Sequence, residues 1–179
     1  MDRRTLLQSA AGLAIGQMAA AGAAPVAAQP EGKRGDFDFL AGRWNIHHRQ
    51  LKPGGEWDEF DGDASCWTVW GGGGSIEELR IPARNFMGMG IRLLEVEKRV
   101  WSDFWVNARD GVLTTPGMTG VFVDGVGSFF ADDDEAGPAI KVRGVWALIT
   151  PRSCRWHQAV SRDGGSTWQE NWFMDWVRA

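Results

Sequence analysis

Between Arg43 and Arg178 the chain holds no run of helical period long enough to make a helix of useful length. It reads instead as short stretches of alternating apolar and polar residues separated by turn signals, which points to an all-β architecture. Strands are expected near 43–51, 57–70, 75–81, 86–95, 99–107, 117–123, 126–132, 139–149, 154–161 and 167–178. Asp124-Gly125, set between Val123 and Val126, is a two-residue hairpin signal. Asp110-Gly111 and Asp163-Gly164-Gly165 mark two further turns. The run Gly71-Gly72-Gly73-Gly74 reads as a flexible loop or sharp bend, because it lacks the lysine and following helix of a phosphate loop. Ten short antiparallel strands make a barrel or a sandwich. Closure into a barrel removes the exposed edges that Trp-rich strands could not safely leave open.

The two ends of this run fit each other. Gly42-Arg43-Trp44 opens the first strand, and Trp176-Val177-Arg178 closes the last. A Gly-x-Trp on an opening strand with an arginine on the final one resembles the signature of calycin-type β-barrels, which are cups around a small ligand. The resemblance implies that Arg178 caps Trp44 at the closed end, a cation–π contact that also seals the core. Residues 29–35 read as a polar tether. Asp36-Phe37-Asp38-Phe39-Leu40-Ala41 offers a cap residue and an apolar i, i+3, i+4 face, so a one-turn helix plugging the barrel is expected. The expected fold of 29–179 is thus an all-β, antiparallel calycin-like (lipocalin-like) barrel of about ten strands with a short N-terminal plug helix.

Residues 1–28 stand apart from the fold. Asp2-Arg3-Arg4-Thr5-Leu6-Leu7 resembles a twin-arginine export motif, and a weakly apolar Ala/Gly-rich run follows from Ala10 to Ala24. Val26-Ala27-Ala28 offers small residues for cleavage before Gln29. A general-secretion signal or an uncleaved anchor are the alternatives. The twin-arginine reading makes the protein periplasmic, with no stable membrane insertion once the signal is removed. A net charge of −4 provides no basic footprint, which argues against nucleic acid as a partner. Cys66 and Cys154 could pair in an oxidising compartment or stay buried as apolar side chains. No His or Cys spacing suits a metal.

Eleven Trp, nine Phe and no Tyr suit either a bulky packed core or a pocket lined with indoles for a flat or apolar ligand. Period-2 alternation places Trp44, Ile46 and His48 on the inner face of the first strand, with Arg43, Asn45, His47 and Arg49 outside. The same parity groups Trp168, Glu170, Trp172, Met174, Trp176 and Arg178 on the last strand, and Trp156, Gln158 and Val160 on the one before. Candidate ligand contacts are therefore Trp44, Trp105, Asn107, Gln158, Trp172 and Arg178. His48 and Glu170 form a candidate acid–base pair, because a carboxylate in a dry pocket has a raised pKa and a nearby imidazole could share its proton. One β-bulge would reverse a strand's parity and bring His47, Asn171 and Asp175 inward instead. The leading expectation is a module binding a small apolar or aromatic molecule. The alternative is a metal-independent lyase, isomerase or hydrolase working through His48 and Glu170. A packed, purely structural or partner-binding barrel is a third.

Ser161-Arg162-Asp163-Gly164-Gly165-Ser166-Thr167-Trp168 matches the Asp-box pattern at every fixed position. That motif is known from sialidase-type propellers, where it folds a hairpin turn and takes no part in catalysis. With Asp36 through Trp44, His47-His48-Arg49-Gln50-Leu51 and Asn171-Trp172-Phe173-Met174-Asp175, the chain resembles the DUF1579-like family of bacterial proteins. That resemblance implies a lipocalin-like or calycin-like barrel and no particular activity. The chain is also similar in strand number and early Gly-x-Trp to nitrobindin-like haem barrels, in which a late histidine holds the haem. His157 is the positional counterpart, but its parity points away from the expected cavity. No cofactor is expected, with haem as the less favoured alternative.

Overall fold

The computed structural model describes residues 29–132 and 140–179; the export leader expected at 1–28 lies outside the described residues. Ten antiparallel strands, each hydrogen-bonded to the next in sequence, form a barrel that β10 closes against β1. They are β1 (Gly42–Leu51), β2 (Trp57–Val69), β3 (Gly74–Ile81), β4 (Phe86–Glu95) and β5 (Val100–Asn107). The second half is β6 (Met118–Val123), β7 (Val126–Asp132), β8 (Lys141–Ala147), β9 (Ser153–Ser161) and β10 (Gln169–Arg178). In the closing pair Trp44 lies opposite Arg178, and Ile46 opposite Trp176. Along β1 the alternation behaves as expected, with Trp44, Ile46 and His48 buried and Arg43, Asn45, His47 and Arg49 exposed.

Local chemistry sets the turns. Asp124 and Gly125 both adopt positive φ, as a two-residue hairpin requires. In the β9–β10 turn the Ser161 hydroxyl donates to Asp163 at 2.8 Å, and Asp163 also accepts from the Thr167 amide at 2.8 Å and its hydroxyl at 2.7 Å. The Gly165 amide donates back to Ser161 Oγ at 2.8 Å. The Thr167 and Ser161 bonds hold the Asp163 carboxyl down at about 2. The Asp-box thus serves as a turn clamp.

Of its two expected forms the glycine run takes the sharp bend, with a 3-10 turn over Trp70–Gly72 and β3 beginning at Gly74. Gly72 has φ of +82°, and a Cβ there would meet the Gly35 backbone nitrogen at 2.6 Å, so only glycine lets the N-terminal segment lie against it. That segment is a docked strap rather than a loose tether. Gly32 N–H donates to Arg99 O at 2.7 Å, Gly35 N–H to Gly72 O at 3.0 Å, and Arg34 to Trp70 O at 2.5 Å.

The strap leads into the plug, a 3-10 turn at Asp38–Leu40. Asp36 does not cap it; its carboxylate accepts from the Lys33 amide at 2.8 Å and the Trp101 indole at 3.0 Å. Phe37 drops into the barrel end, with ring centroids 4.9 Å from Trp101, 5.0 Å from Phe122 and 5.6 Å from Phe129. Trp44 donates its indole N–H to Leu40 O at 2.7 Å. Arg178 lies over the Trp44 ring, 3.9 Å from its centroid, and donates to Ala41 O at 2.5 Å and Phe39 O at 2.7 Å. One guanidinium therefore ties the last strand, the first strand and the plug together. Cys66 and Cys154 are buried free thiols, both pushed up by burial to about 12.

Candidate functional site

Among the described residues, one end of the barrel is packed shut and the other is not. Beyond Trp146 and Trp176 the interior opens into a cavity of about 570 Å³. Phe86, the loop Thr114–Met118 and Asp132 form its mouth, while Trp105, Trp156 and Trp172 line its walls. Trp105 can lie flat against β4 because Gly88 has no side chain; a Cβ there would overlap the indole. Phe86 and Trp105 stack with their planes 5° apart, and Trp156 meets Trp172 edge to face at 83°.

The floor is charged. Glu77 of β3, Arg92 of β4 and Asp103 of β5 project inward from three adjacent strands, with Arg92 directly opposite Asp103 in the register. Arg92 Nη2 donates to Glu77 at 2.5 Å, and its Nε lies 3.4 Å from Asp103. The guanidinium also lies 5.1 Å from the Trp146 ring and 5.3 Å from Phe37. Burial works against its charge, but Asp103 and Glu77 more than restore it, so Arg92 stays protonated. Burial pushes the Asp103 carboxyl up to about 6, with Arg92 opposing the shift and Glu77 adding to it. The side chains of Glu77 and Arg92 are 3% and 5% exposed, whereas Asp103 is 16% exposed. All three line the cavity, and Asp103 is the most exposed member of the trio.

The residues singled out from sequence fall into three groups. Trp105, Gln158 and Trp172 line the cavity. The Gln158 amide donates to Asn171 Oδ1 at 3.1 Å. Trp44 and Arg178 make the expected cation–π contact but seal the closed end, away from the cavity lining. Asn107 stands at the end of β5, where its Oδ1 accepts the Arg109 amide at 3.0 Å and caps the following turn.

The His48/Glu170 pair does not form. The β9–β10 register shifts between Glu170 and Trp172, so a bulge at Asn171 reverses parity within β10. Trp172, Met174 and Trp176 face inward, while Glu170 lies opposite Ala159 on the outer face, 3.6 Å from Arg143. His48 is inside and wholly buried, stacked on Phe60 at 4.8 Å. Its Nδ1 accepts the Trp172 indole N–H at 3.2 Å, which leaves the proton on Nε2, and burial holds its pKa down to about 4. It acts as a neutral acceptor behind the cavity wall. His157 lies on the outer face, packed against Phe173 at 5.8 Å, with its pKa lowered by burial.

The charged floor lies on β3, β4 and β5, outside the parity argument for β1, β9 and β10. The signal was present: Trp101-x-Asp103-x-Trp105 places a carboxylate on the same face as two indoles.

No protein-family model and no curated protein matches the chain. Solved structures that resemble it include two barrels. Rv2717c from M. tuberculosis superimposes with a TM-score of 0.50 at 11% identity, over 79% of this chain and 93% of that one. The S-type phycobiliprotein lyase CPES from Guillardia theta does so with a TM-score of 0.50 at 11% identity, over 80% of this chain and 90% of that one. At such identity the likeness establishes the lipocalin-like barrel fold alone. What the site can do follows from its own geometry. It can enclose a flat molecule between aromatic walls, and Asp103 can hold or release a proton near pH 6.

Proposed function

We propose that the barrel binds a small, largely aromatic or apolar molecule in the cavity between Trp105, Trp156 and Trp172. One observation carries this reading: seven tryptophans pack in or against the core of a small barrel, yet about 570 Å³ is left open behind an aromatic lining. A few orienting polar groups in a mostly apolar concavity are the ordinary composition of a ligand site. The neutral fluorophore N-phenyl-1-naphthylamine should bind the full chain saturably, one to one, with blue-shifted emission. Ala131, whose side chain lines the cavity, is the place to block it. Ala131→Phe should weaken binding by about tenfold, as lost apolar burial of this size implies, while circular dichroism stays unchanged. Undiminished binding in that variant, or no saturable binding in the parent, would remove the reading.

The twin-arginine-like leader extends the proposal to a periplasmic protein exported already folded. Replacing Arg3 and Arg4 together with lysine should leave the chain unprocessed in the cell interior. Normal processing and export of that variant would count against this route.

A further inference from the structure

The floor of the cavity is chemically one-sided, and we infer that the ligand it selects is an organic cation: an aromatic body carrying an ammonium group that meets Asp103. The inference rests on the cavity being a ligand site and specifies the chemistry of its occupant.

Three charged groups face one another at the floor, Glu77 from β3, Arg92 from β4 and Asp103 from β5. Arg92 Nη2 pairs with Glu77 at 2.5 Å and both side chains are almost wholly buried, so these two charges offset each other. Asp103 shares the same guanidinium at 3.4 Å and is the more exposed carboxylate, so two carboxylates against one cation leave the ionised floor with one net negative charge on its Asp103 side. β6, on the other side of Asp103, places Met118 opposite it and no charge. Across the cavity β8, β9 and β10 contribute Trp146, Trp156, Gln158 and Trp172, none of them charged. Asp132 at the mouth is already paired with Lys141 at 2.8 Å.

A ligand acceptor is the rival partner, since Arg92 Nε and Nη1 and the Trp146 and Trp176 indole nitrogens have no hydrogen-bond partner among the described residues. Those nitrogens are buried within the lining, whereas the Asp103 side chain is 16% exposed and is the readier partner for a ligand. The walls act in the same direction. Indole and phenyl faces carry the negative side of the ring quadrupole, which attracts a cation and disfavours an anion. A carboxylate at the bottom of an aromatic cage is the arrangement that a desolvated ammonium group requires.

Three isosteres separate the possibilities: 1-naphthylmethylammonium, 1-naphthylmethanol and 1-naphthoate, each titrated calorimetrically into the full chain at pH 7.5. The ammonium should bind about tenfold more tightly than the alcohol, and the carboxylate more weakly than either. Protonating Asp103 should erase the ammonium's advantage, so at pH 5 the first two should bind within about threefold of each other, with the alcohol's affinity unchanged. Asp103→Asn should do the same at pH 7.5, with alcohol binding reporting that the cavity is intact. Should that variant fail to fold, the pH series on the unaltered protein decides. An ammonium that binds no better than the alcohol, a preference for the carboxylate, or an ammonium preference that persists at pH 5 overturns the inference while leaving a cavity that binds neutral molecules. If none of the three binds and the neutral fluorophore also fails, the ligand-binding reading itself falls.

Discussion

The two ends of this barrel use the same kinds of residue to opposite effect. At the closed end Trp44, Trp101, Trp146 and Trp176 are all at most 1% exposed, and the plug inserts Phe37 and Leu40 between them. At the open end Trp105, Trp156 and Trp172 are only partly buried and stand around empty space. The difference lies in what reaches them. A strap of residues 31–41 crosses the closed end and is held by backbone hydrogen bonds to Arg99 and Gly72, and by Arg178. Among the described residues no comparable segment enters the mouth, where the loop 114–118 forms part of the rim. An aromatic-rich sequence thus marks an interior without saying which part of it is filled.

Truncating one indole at each end makes the comparison quantitative. Trp44→Ala should cost about 3–5 kcal/mol, because it removes a fully buried ring, the hydrogen bond to Leu40 and the surface under Arg178. Trp105→Ala should cost about 1–2 kcal/mol, since part of its ring faces a cavity already open, and it should weaken binding of the neutral fluorophore. Urea denaturation measures both. Equal losses would mean that the open end is packed as tightly as the closed one.

A third effect, set by pH, separates two polar groups of the interior. In the folded chain Asp103 titrates near 6 against an ordinary 3.8, so the fold holds that proton more firmly than the unfolded chain does. Stability should therefore fall as pH rises from about 4 to 6, and the penalty above that window should be on the order of 2–3 kcal/mol. His48 does the opposite. Its folded pKa of about 4 lies below the ordinary 6.5, so the fold binds its proton less firmly and stability rises with pH across nearly the same interval. The two slopes offset each other in the parent protein. Asp103→Asn should unmask the His48 slope, giving a variant more stable than the parent at pH 8 and no more stable at pH 4. Thermal melts across pH 4–8 would show it, and an Asn variant weaker than the parent at pH 8 would contradict it.

Much of this protein was legible before any coordinates. The ten strands, the Asp124-Gly125 hairpin and the Asp-box turn depend on alternation and on residues that fix local φ and ψ, so each is encoded within a few positions. The contact of Trp44 with Arg178 was legible through resemblance to calycin-type barrels, although its part in sealing the plug emerged only from the hydrogen bonds to Phe39 and Ala41. The facing of Glu170 was not legible, because a bulge at Asn171 inserts one residue into a pattern whose period is two.

Sequence alone therefore determined the strands, the turns and the presence of an aromatic interior, since these follow from short-range periodicity and backbone preference. Tertiary structure decided where that interior is solid and where it is hollow. It also decided that Glu77, Arg92 and Asp103 meet at the floor. Those three residues belong to different strands, and only the register of β3, β4 and β5 brings their charges within reach of one another.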